Sequence, residues 1–426
     1  MVKYEYTESG IEWIGDFPKH WKIHRIKDIV NLKSGDNIVS EQITVDDEFP
    51  VYGGNGLRGY YSSYTHEGDF VLIGRQGALC GNINYAHGKF WASEHAVVAT
   101  PIKFTEIIWL GELLRIMNLN QYSNSAAQPG LSVEKIKNLY LPIPPKDEQI
   151  AIAKYLDKAC KDLDRILEIK RKQIKNLQEQ LKSQISNWFT RGTQLELKNT
   201  DSLVIPEIPI HWQLLKLKRV LEEKLKYGAN ESGDLDNPDD PRYIRITDFD
   251  DDGTLRDDTF KSLPPEIAKE YLLSEGDILF ARSGATVGKT FIFKNYKGIA
   301  CYAGYLIKAV TLKYKMLPDY LYYFTKTKMY EDWKNLIFTQ ATIQNIGADK
   351  YQYLPVPVPP IDEQKEILRK TDLLNEQIKE AQSSIEKQID TLLNYKKSLI
   401  HEVVTGKKQV YGLSSTSSDQ KKRQPI

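Results

Sequence analysis

The stretch Ser283-Gly-Ala-Thr-Val-Gly-Lys-Thr290 contains the residue types that bind nucleotide phosphates. In a phosphate-binding loop, glycine backbone amides surround the phosphates, the lysine contacts phosphate oxygens and the hydroxyl binds Mg²⁺. The loop motif requires more residues between its glycines than the three that Gly284 and Gly288 enclose. We therefore interpret the stretch as a tight turn between two strands and not as a site of nucleotide hydrolysis.

Two further patterns fall short of a catalytic or metal site. Asp248-Phe-Asp-Asp-Asp-Gly253 begins like a calcium loop, but Thr259 stands at the twelfth position, where such a loop has a bidentate glutamate. A base-methylating enzyme needs an Asn- or Asp-Pro-Pro-aromatic motif and a glycine-rich cofactor loop; Asn237-Pro-Asp-Asp240 lacks the second proline and the aromatic residue. The sequence predicts an acidic surface turn, no metal, no cofactor and no catalytic residues.

Arginine, asparagine and glutamine in glycine-rich turns are residue types that would contact DNA if the chain binds it. Such side chains form two-point hydrogen bonds, arginine with guanine and the amides with adenine, whereas lysine and hydroxyl groups contact phosphates. The glycines between Tyr52 and Tyr64 allow close backbone approach, although a plain Asn-Gly hairpin turn explains them equally well. The candidate DNA-binding residues are Asn55, Arg58, Tyr60, Tyr61, Arg75, Gln76, Gln128, Arg242, Arg245, Arg282, Ser283, Lys289 and Gln340.

Arg75-Gln76 and Arg282-Ser283 occupy the same place in two similar segments. An arginine that occurs in both segments indicates a shared role, and we favour phosphate positioning or turn stabilisation over base reading. Gln76 and Ser283 differ, as base-reading residues do when two DNA half-sites differ. Gln128 and Gln340 each precede a passage from loop to helix, where they either contact DNA or cap the helix.

The sequence motifs around these residues occur twice along the chain. Pro-x-His-Trp occurs at 18–21 and 209–212, Gly-Asp-strand-Arg-x-Gly at 68–77 and 276–284, and Pro-Pro-x-Asp-Glu-Gln at 144–149 and 359–364. The order is the same in both halves, and a repeated order of motifs is the mark of a duplicated structural unit. The sequence therefore predicts two copies of one unit.

Each Pro-Pro-x-Asp-Glu-Gln segment opens a long proline-free stretch. The prolines cannot continue an earlier helix, and the acidic pair suits the positive end of the helix dipole. Mostly apolar residues then recur seven apart, which is typical of a coiled-coil seam. One such row is Leu156, Leu163, Lys170, Leu177 and Gln184, in which Lys170 and Gln184 are polar interruptions. We expect two helices of roughly 60–65 Å, at ~1.5 Å per residue. They would form an antiparallel coiled coil, because the chain returns through a globular part; the alternative is that each packs on its own domain.

The pattern predicts an α+β protein with an internal pseudo-two-fold repeat. Two mixed α/β domains, 1–146 and 193–361, are separated by long helices at 147–192 and 362–411, and a Ser-rich tail at 412–426 is expected to be disordered. Strands are predicted within the two mixed domains at 69–73, 95–99, 243–247, 277–281 and 305–310, and helices at 109–118 and 317–330.

Composition limits the partners and the compartment. The 58 basic and 57 acidic residues leave a net charge of +1, so DNA binding must use local basic faces or share phosphate contacts with a partner. No apolar run is long enough to cross a membrane. Cys80, Cys160 and Cys301 stand alone in the sequence, which indicates a reducing compartment. We predict a cytoplasmic protein.

These motifs resemble the specificity subunits of type I restriction–modification systems. The resemblance lies in Ser9-Gly-Ile-Glu-Trp-Ile-Gly15, Pro18-Lys-His-Trp21, Pro50-Val-Tyr-Gly-Gly-Asn-Gly56, Gly74-Arg-Gln-Gly77 and the two Pro-Pro-x-Asp-Glu-Gln helix openings. Each motif alone is too short to identify this family, whereas the order of the motifs and their duplication are specific to it. The resemblance covers nearly the whole chain and omits only the tail.

The resemblance implies a non-catalytic DNA-reading subunit. Residues 1–146 and 193–361 would be target-recognition domains, each reading one half of a bipartite site in double-stranded DNA. The helices would set the spacer and dock two methyltransferase subunits, which bind S-adenosylmethionine and methylate adenine. Motor–nuclease restriction subunits would complete the complex.

Two alternatives remain from the residues alone. A self-contained DNA-modifying enzyme would transfer methyl groups without a partner, and the missing motifs argue against it. A coiled-coil scaffold without a nucleic-acid role would explain the helices but not the duplicated arginine turns.

Overall fold

The computed structural model describes residues 4–77, 79–123, 130–192, 196–250, 253, 255–284, 286–339 and 345–411. The chain divides into two compact units. The first unit comprises residues 1–170 and 386–426, and the second comprises residues 171–385. Each of the two long helices therefore begins in one unit and ends in the other.

The twelve strands of the first unit that the structure describes all precede the first long helix. Its strands are β1 (Tyr6–Glu8), β2 (Asp16–Pro18), β3 (Lys22–Arg25), β4 (Val30–Ser34), β5 (Phe49–Gly53), β6 (Gly56–Tyr61), β7 (His66–Glu67), β8 (Phe70–Gly74), β9 (Ile83–Ala86), β10 (Lys89–Ala92), β11 (Ala96–Pro101) and β12 (Tyr140–Ile143). Its helices are α1 (Ile107–Ile116), α2 (Val133–Ile136) and the first part of α3 (Lys146–Arg191).

The second unit has a similar sequence of elements. Its strands are β13 (Leu197–Asn199), β14 (Glu207–Pro209), β15 (Gln213–Lys216), β16 (Lys226–Tyr227), β17 (Arg242–Ile244), β18 (Ile278–Ala281), β19 (Thr290–Ile292), β20 (Ala300–Tyr302), β21 (Leu306–Ala309) and β22 (Pro355–Val358). Its helices are α4 (Pro265–Ala268), α5 (Pro318–Phe324), α6 (Lys328–Thr339), α7 (Ala348–Tyr351) and the first part of α8 (Ile361–Val404).

The strands of each unit pair into sheets. In the first unit, β4-β11-β8-β9 form an antiparallel sheet, and β6-β5-β10-β7 form a second sheet in which β5 and β10 are parallel. In the second unit, β16-β21-β18-β19 are antiparallel, and β17 pairs in parallel with β20. The α+β content and both long helices are as predicted.

The duplicated Pro-Pro-x-Asp-Glu-Gln motif anchors the start of each long helix. The side-chain carbonyl of Gln149 accepts a hydrogen bond of 2.9 Å from the backbone N–H of Glu106, the residue before α1, and its amide donates to Pro144. Gln364 likewise accepts from the backbone N–H of Leu317, the residue before α5, at 2.9 Å. The glutamine thus satisfies a backbone donor at a neighbouring helix start, where intrahelical partners are lacking.

The glutamate of the motif binds the Pro-x-His-Trp segment. Glu148 is buried and accepts hydrogen bonds from Trp21 Nε1 at 2.8 Å and from His20 Nε2 at 2.9 Å. In the second unit, Glu363 accepts from Trp212 Nε1 at 2.9 Å and contacts His211 Nε2 at 2.7 Å. In each unit, the Pro-x-His-Trp segment therefore binds the start of the long helix, although the two motifs lie far apart in the sequence.

Both long helices contribute to the hydrophobic core of each unit. In the first unit, Leu156 and Leu163 of α3 and Leu399 of α8 belong to one buried cluster, and Lys396 pairs with Asp164 at 2.6 Å. In the second unit, the buried cluster includes Ile185 and Phe189 of α3 and Ile367 of α8.

Two predicted helix boundaries are wrong for local reasons. The segment 317–330 forms two helices, α5 and α6, because the hydroxyls of Thr325 and Thr327 bond the backbone carbonyls of Tyr322 and Phe324 between them. The second long helix ends at Val404 instead of 411. Gly406 follows with a φ of +76°, a left-handed conformation that commonly ends helices.

Burial of Glu148 predicts a pH-dependent stability of the first unit. Burial raises the pKa of Glu148 to about 7 from its ordinary value of 4.5. The folded state therefore binds more protons between these pH values, so this contribution to stability declines as the pH rises from 4.5 to 7. Glu148→Gln abolishes the titration. We expect the variant to gain stability over the native chain by about 1–3 kcal/mol across this range, measured by denaturant unfolding at several pH values. Parallel pH profiles for the two proteins would contradict this, and Glu168→Gln, at an exposed position of α3, is the control.

Candidate nucleic-acid interface

In the first unit, the tip of the β5–β6 hairpin lies against the end of β8. A Cβ added to Gly54 would lie 3.4 Å from the backbone oxygen of Gln76 and 3.8 Å from the backbone nitrogen of Arg75. At the same tip, the side-chain oxygen of Asn55 accepts a hydrogen bond from Asn82 at 3.3 Å. The structure therefore brings together three of the sequence-predicted residues, Asn55, Arg75 and Gln76.

The backbone around Arg75 is fixed on both sides. Its N–H donates to the carbonyl of His95 at 2.8 Å, and its carbonyl accepts from the N–H of Leu131 at 2.8 Å. The next residue, Gln76, forms an isolated antiparallel bridge with Gly130. Arg75 thus lies at the end of β8 and is held by backbone contacts with two other segments, one at His95 and one at Gly130 and Leu131. We call this set of backbone contacts the frame of the arginine.

The second unit holds Arg282 in the same frame. The N–H of Arg282 donates to the carbonyl of Tyr305 at 3.0 Å, and its carbonyl accepts from Ile346 at 2.9 Å. Ser283 forms the isolated antiparallel bridge, here with Asn345. The two arginines of the repeated turn therefore share one set of backbone hydrogen bonds.

The side chains that contact the two arginines differ. Nη1 of Arg75 donates to the hydroxyl of Ser34 at 3.3 Å. The guanidinium of Arg282 lies over the ring of Tyr227, 5.0 Å from its centroid. The hydroxyl of Tyr227 is held in turn by the backbone N–H of Ala348 at 2.9 Å. A guanidinium stacked on a fixed ring is restricted in orientation while the edge that carries its N–H groups stays open to an acceptor.

Sequence reasoning missed Ser34 and Tyr227 although the chain contains a signal for them. Lys33-Ser-Gly-Asp-Asn37 is repeated as Lys226-Tyr-Gly-Ala-Asn230, and each polar residue precedes the central glycine. The glycine is required because a Cβ there would lie 2.1 Å from a backbone oxygen in the first unit and 2.2 Å in the second. This close approach brings the preceding side chain to the arginine.

Three other candidates in the first unit lie along β6. Arg58 is exposed and its Nη2 reaches the hydroxyl of Ser40 at 3.4 Å. Tyr60 is half-buried, and the ring of Tyr61 packs edge-on against Trp91 with 5.2 Å between centroids. These three residues extend away from the hairpin tip, where Asn55 lies.

The interior position of Arg242 contradicts its prediction as a DNA contact. Its side chain is 2% exposed, its Nη2 donates to the carbonyl of Arg256, and its Nη1 lies 3.6 Å from Asp257. Arg245 makes a two-point contact with the buried Asp248, with Nη2–Oδ1 at 2.9 Å and Nε–Oδ2 at 3.3 Å. Both arginine side chains therefore contact groups of the second unit itself.

Asp248 begins the acidic turn that imitates a calcium loop, and the two-point contact with Arg245 gives that carboxylate a structural role. Within the residues that the structure describes, no group of three or more His, Cys, Asp or Glu side chains is arranged to hold a metal ion.

The remaining candidates lie on or near the repeated turn. β8 pairs antiparallel with β9 and β18 with β19, which confirms that the glycine segments are turns between strands. Lys289 is exposed at the end of the second turn, and its carbonyl accepts from the N–H of Ala281 at 2.9 Å. Gln128 and Gln340 fall outside the described residues.

Comparison with known families agrees with this duplicated arrangement. The model of the family described as "Type I restriction modification DNA specificity domain" matches residues 18–179 and 209–390. The chain belongs to this family. Its two matches place one specificity domain in each half of the sequence, and each includes one of the arginine turns described above.

Curated relatives of this specificity family are named specificity subunits. The chain is 43% identical over 173 residues to the type I restriction enzyme EcoprrI specificity subunit of Escherichia coli, covering 40% of this chain and 43% of that one. It is 27% identical over 370 residues to a putative specificity subunit of Haemophilus influenzae, covering 82% and 85%. It is 24% identical to the MjaVIII specificity subunit of Methanocaldococcus jannaschii over 93% of this chain and 95% of that one.

Solved structures share the fold of this family member. A chain from a study of complex assembly and conformational transition of the type I R-M system matches with a TM-score of 0.69 at 16% identity, covering 92% of this chain and 99% of that one. The HsdS subunit of Thermoanaerobacter tengcongensis matches with a TM-score of 0.55 at 15% identity, over 94% and 100%. Within the described part of the chain, no helix is both long and apolar enough to span a membrane.

Proposed function

We propose that this chain is the DNA-reading subunit of a type I restriction–modification complex and that each unit reads one half of a bipartite site in double-stranded DNA. The observation that carries the proposal is the arginine turn, which has the same backbone frame around Arg75 and Arg282 in a member of a DNA specificity family. Two similar readers in one chain suit a site with two half-sites, as in other readers with two-fold symmetry.

We infer further that the two halves are copies of one unit and that the long helices form an antiparallel coiled coil. Two observations support the pairing. The start of α3 shares a core with the end of α8 in the first unit, and the end of α3 shares a core with the start of α8 in the second. The matching contacts of Glu148 and Glu363 support the duplication. The coil would set the spacer between the half-sites.

The surfaces beside the long helices are the proposed docking sites for two methyltransferase subunits. In the second unit, a groove of about 1440 Å³ borders α3 between Leu181 and Arg191. In the first unit, a groove of about 530 Å³ borders the start of α3 at Ile150 and Ala153. The partners would supply S-adenosylmethionine binding, adenine methylation and, through motor–nuclease subunits, cleavage.

The assignment of a non-catalytic role rests on the site chemistry. The described residues at the arginine turns offer hydrogen-bonding and aromatic groups, which suit recognition of DNA. A modest net charge of +1 fits a subunit whose partners share the phosphate contacts. Since its ligand would be cellular or invading DNA, we place the complex in the cytoplasm.

Methylation mapping tests the proposed function. The chain is expressed with the methyltransferase subunit of its system in a methylation-free host, and N6-methyladenine is mapped by long-read sequencing. We expect a single bipartite motif that disappears when either subunit is omitted. A stable complex that adds no methylation would reject the DNA-reading role and favour a coiled-coil scaffold. Methyl transfer by the chain alone would instead identify a self-contained enzyme.

Removal of either repeated arginine is expected to weaken DNA binding without changing the recognised sequence. Arg75→Ala and Arg282→Ala each remove a cation from a strand end. We expect affinity to fall by a similar factor for all sequences, and the slope of log affinity against log salt to decrease by about 1. Binding is measured with the methyltransferase complex over a salt series. The control is Arg115→Ala, since Arg115 pairs with Glu112 on α1. An altered recognition motif would show that the arginine reads bases.

A further inference from the structure

The neighbours of the two framed arginines show a systematic difference between the units. Matching backbone hydrogen bonds place Ser34 and Tyr227, His95 and Tyr305, Gln76 and Ser283, and Gly130 and Asn345 at equivalent positions around Arg75 and Arg282. The arginine is common to both units, and each of its four neighbours differs. A fixed backbone that carries variable side chains is the arrangement expected of a surface that positions DNA in one way and reads different bases.

We propose that the side chains around each arginine determine which bases that unit reads: Ser34, His95 and Gln76 in the first unit, and Tyr227, Tyr305, Ser283 and Asn345 in the second. This inference rests on the proposed DNA-reading function. It assigns specificity to residues around the turn and leaves the arginine itself as the positioning residue.

Exposure is consistent with contact to a ligand. Tyr227 is 42% exposed and Tyr305 is 59% exposed, although large aromatic side chains are usually buried where they can be. Gln76 is also exposed, and His95 is partly exposed. These side chains therefore belong to residues that contact the repeated turns, and the rest of their own unit does not fully cover them.

Unsatisfied polar atoms occur at the same place. Nε of Arg282 and the side-chain oxygen of Asn345 are buried and have no hydrogen-bond partner in the described structure. In the first unit, Oε2 of Glu94, next to His95, and Nδ2 of Asn84 are in the same state. Buried polar groups without partners are destabilising, so these four of the twelve such atoms in the described structure offer hydrogen bonds to a ligand or its bound water beside the two turns.

The chemistry of the two sets predicts different preferences. The first unit presents the primary amide of Gln76, which can bond both polar atoms of an adenine edge, together with an imidazole. The second presents hydroxyl groups from Ser283 and Tyr305 and an amide from Asn345. We therefore expect two unlike half-sites, with an adenine among the bases read by the first unit.

Exchange of side chains between the units tests the proposal. In the second unit, Tyr305→His and Ser283→Gln, singly and together, introduce the residues of the first. Each variant is combined with the methyltransferase subunit, its methylation motif is mapped, and its complex is titrated with DNA in which one half-site base pair at a time is changed. We expect discrimination at one or more base pairs of the second half-site to change by roughly 5- to 150-fold, while the first half-site and the spacer stay the same.

Controls separate this inference from the proposed function. Tyr314→Ser alters a tyrosine of the second unit that is 77% exposed and lies outside the frame of Arg282, and it should leave the motif unchanged. If the native complex produces a bipartite motif and the exchanged variants methylate the same motif with discrimination unchanged within twofold, the inference is overturned while the proposed function stands. If the native complex produces no motif, the proposed function itself fails. Gln76→Ser provides an independent test, because it should abolish discrimination at an adenine of the first half-site. Gln76 is exposed, so its replacement should not unfold the unit.

Discussion

Deletion of seven residues from each long helix shortens the spacer of the recognised DNA site by about three base pairs. Residues 171–177 of α3 and 378–384 of α8 lie in the middle of the proposed coil, and their removal keeps the seven-residue spacing of the apolar seam. At ~1.5 Å per residue the coil loses about 10 Å, and one base pair spans about 3.4 Å of duplex. The half-site sequences should not change, because both arginine frames are untouched.

Methylation mapping of the shortened protein with its methyltransferase subunit measures the new spacer directly. A variant with Gln178, Glu179 and Gln180 replaced by alanine is the control, because these exposed residues change the surface of α3 without changing its length. An unchanged spacer in an active, shortened protein would show that the helices do not set the distance between half-sites.

Trp212→Ala should destabilise the second unit more than any other substitution proposed here. The ring is fully buried, its Nε1 donates to Glu363 at 2.9 Å, and a Cβ added to Gly192 would lie 2.7 Å from it. Trp212 therefore contacts both the start of α8 and the end of α3. Truncation leaves a cavity and removes a donor from Glu363, and we expect a loss of about 3–5 kcal/mol in the free energy of unfolding.

Hydrogen exchange distinguishes the effect on each unit, which a single unfolding curve of a chain with two units does not. Amides of β15 and β22 should lose protection in Trp212→Ala, whereas those of β4 and β11 in the first unit should keep it. Trp212→Phe retains most of the buried ring and loses only the N–H donor, so its loss should be smaller. Equal losses in the two variants would mean that the hydrogen bond to Glu363, and not packing, dominates.

Local rules were sufficient for several parts of the protein. Prolines and the acidic pair at Asp147-Glu148 predicted where α3 begins, and seven-residue spacing predicted both long helices. The glycine turns after Arg75 and Arg282 were predicted as links between strands, because the glycine spacing did not fit a phosphate loop. Each of these features depends on residues close together in the sequence.

Long-range contacts were beyond the same rules. Arg242 was predicted as a DNA contact because its charge is visible in the sequence and its burial is not; the carboxylate that pairs with it at 3.6 Å belongs to Asp257. The segment 317–330 was predicted as one helix and forms two, because the hydroxyls of Thr325 and Thr327 donate hydrogen bonds to backbone carbonyls. Propensity alone does not reveal such competing hydrogen bonds.

The sequence by itself predicted two copies of one unit, determined that each half opens a long helix, and showed that the motifs of base methylation and nucleotide hydrolysis are absent from it. Repeats, proline positions and motif spacing are written directly in the order of residues. Only the tertiary structure decided which residues surround Arg75 and Arg282, because Ser34 and Tyr227 come from β4 and β16, and the backbone carbonyls of His95 and Tyr305 come from the turns before β11 and β21. Sheet pairing and close backbone approach at glycine bring those strands together, and neither is encoded by residues that are neighbours in the chain.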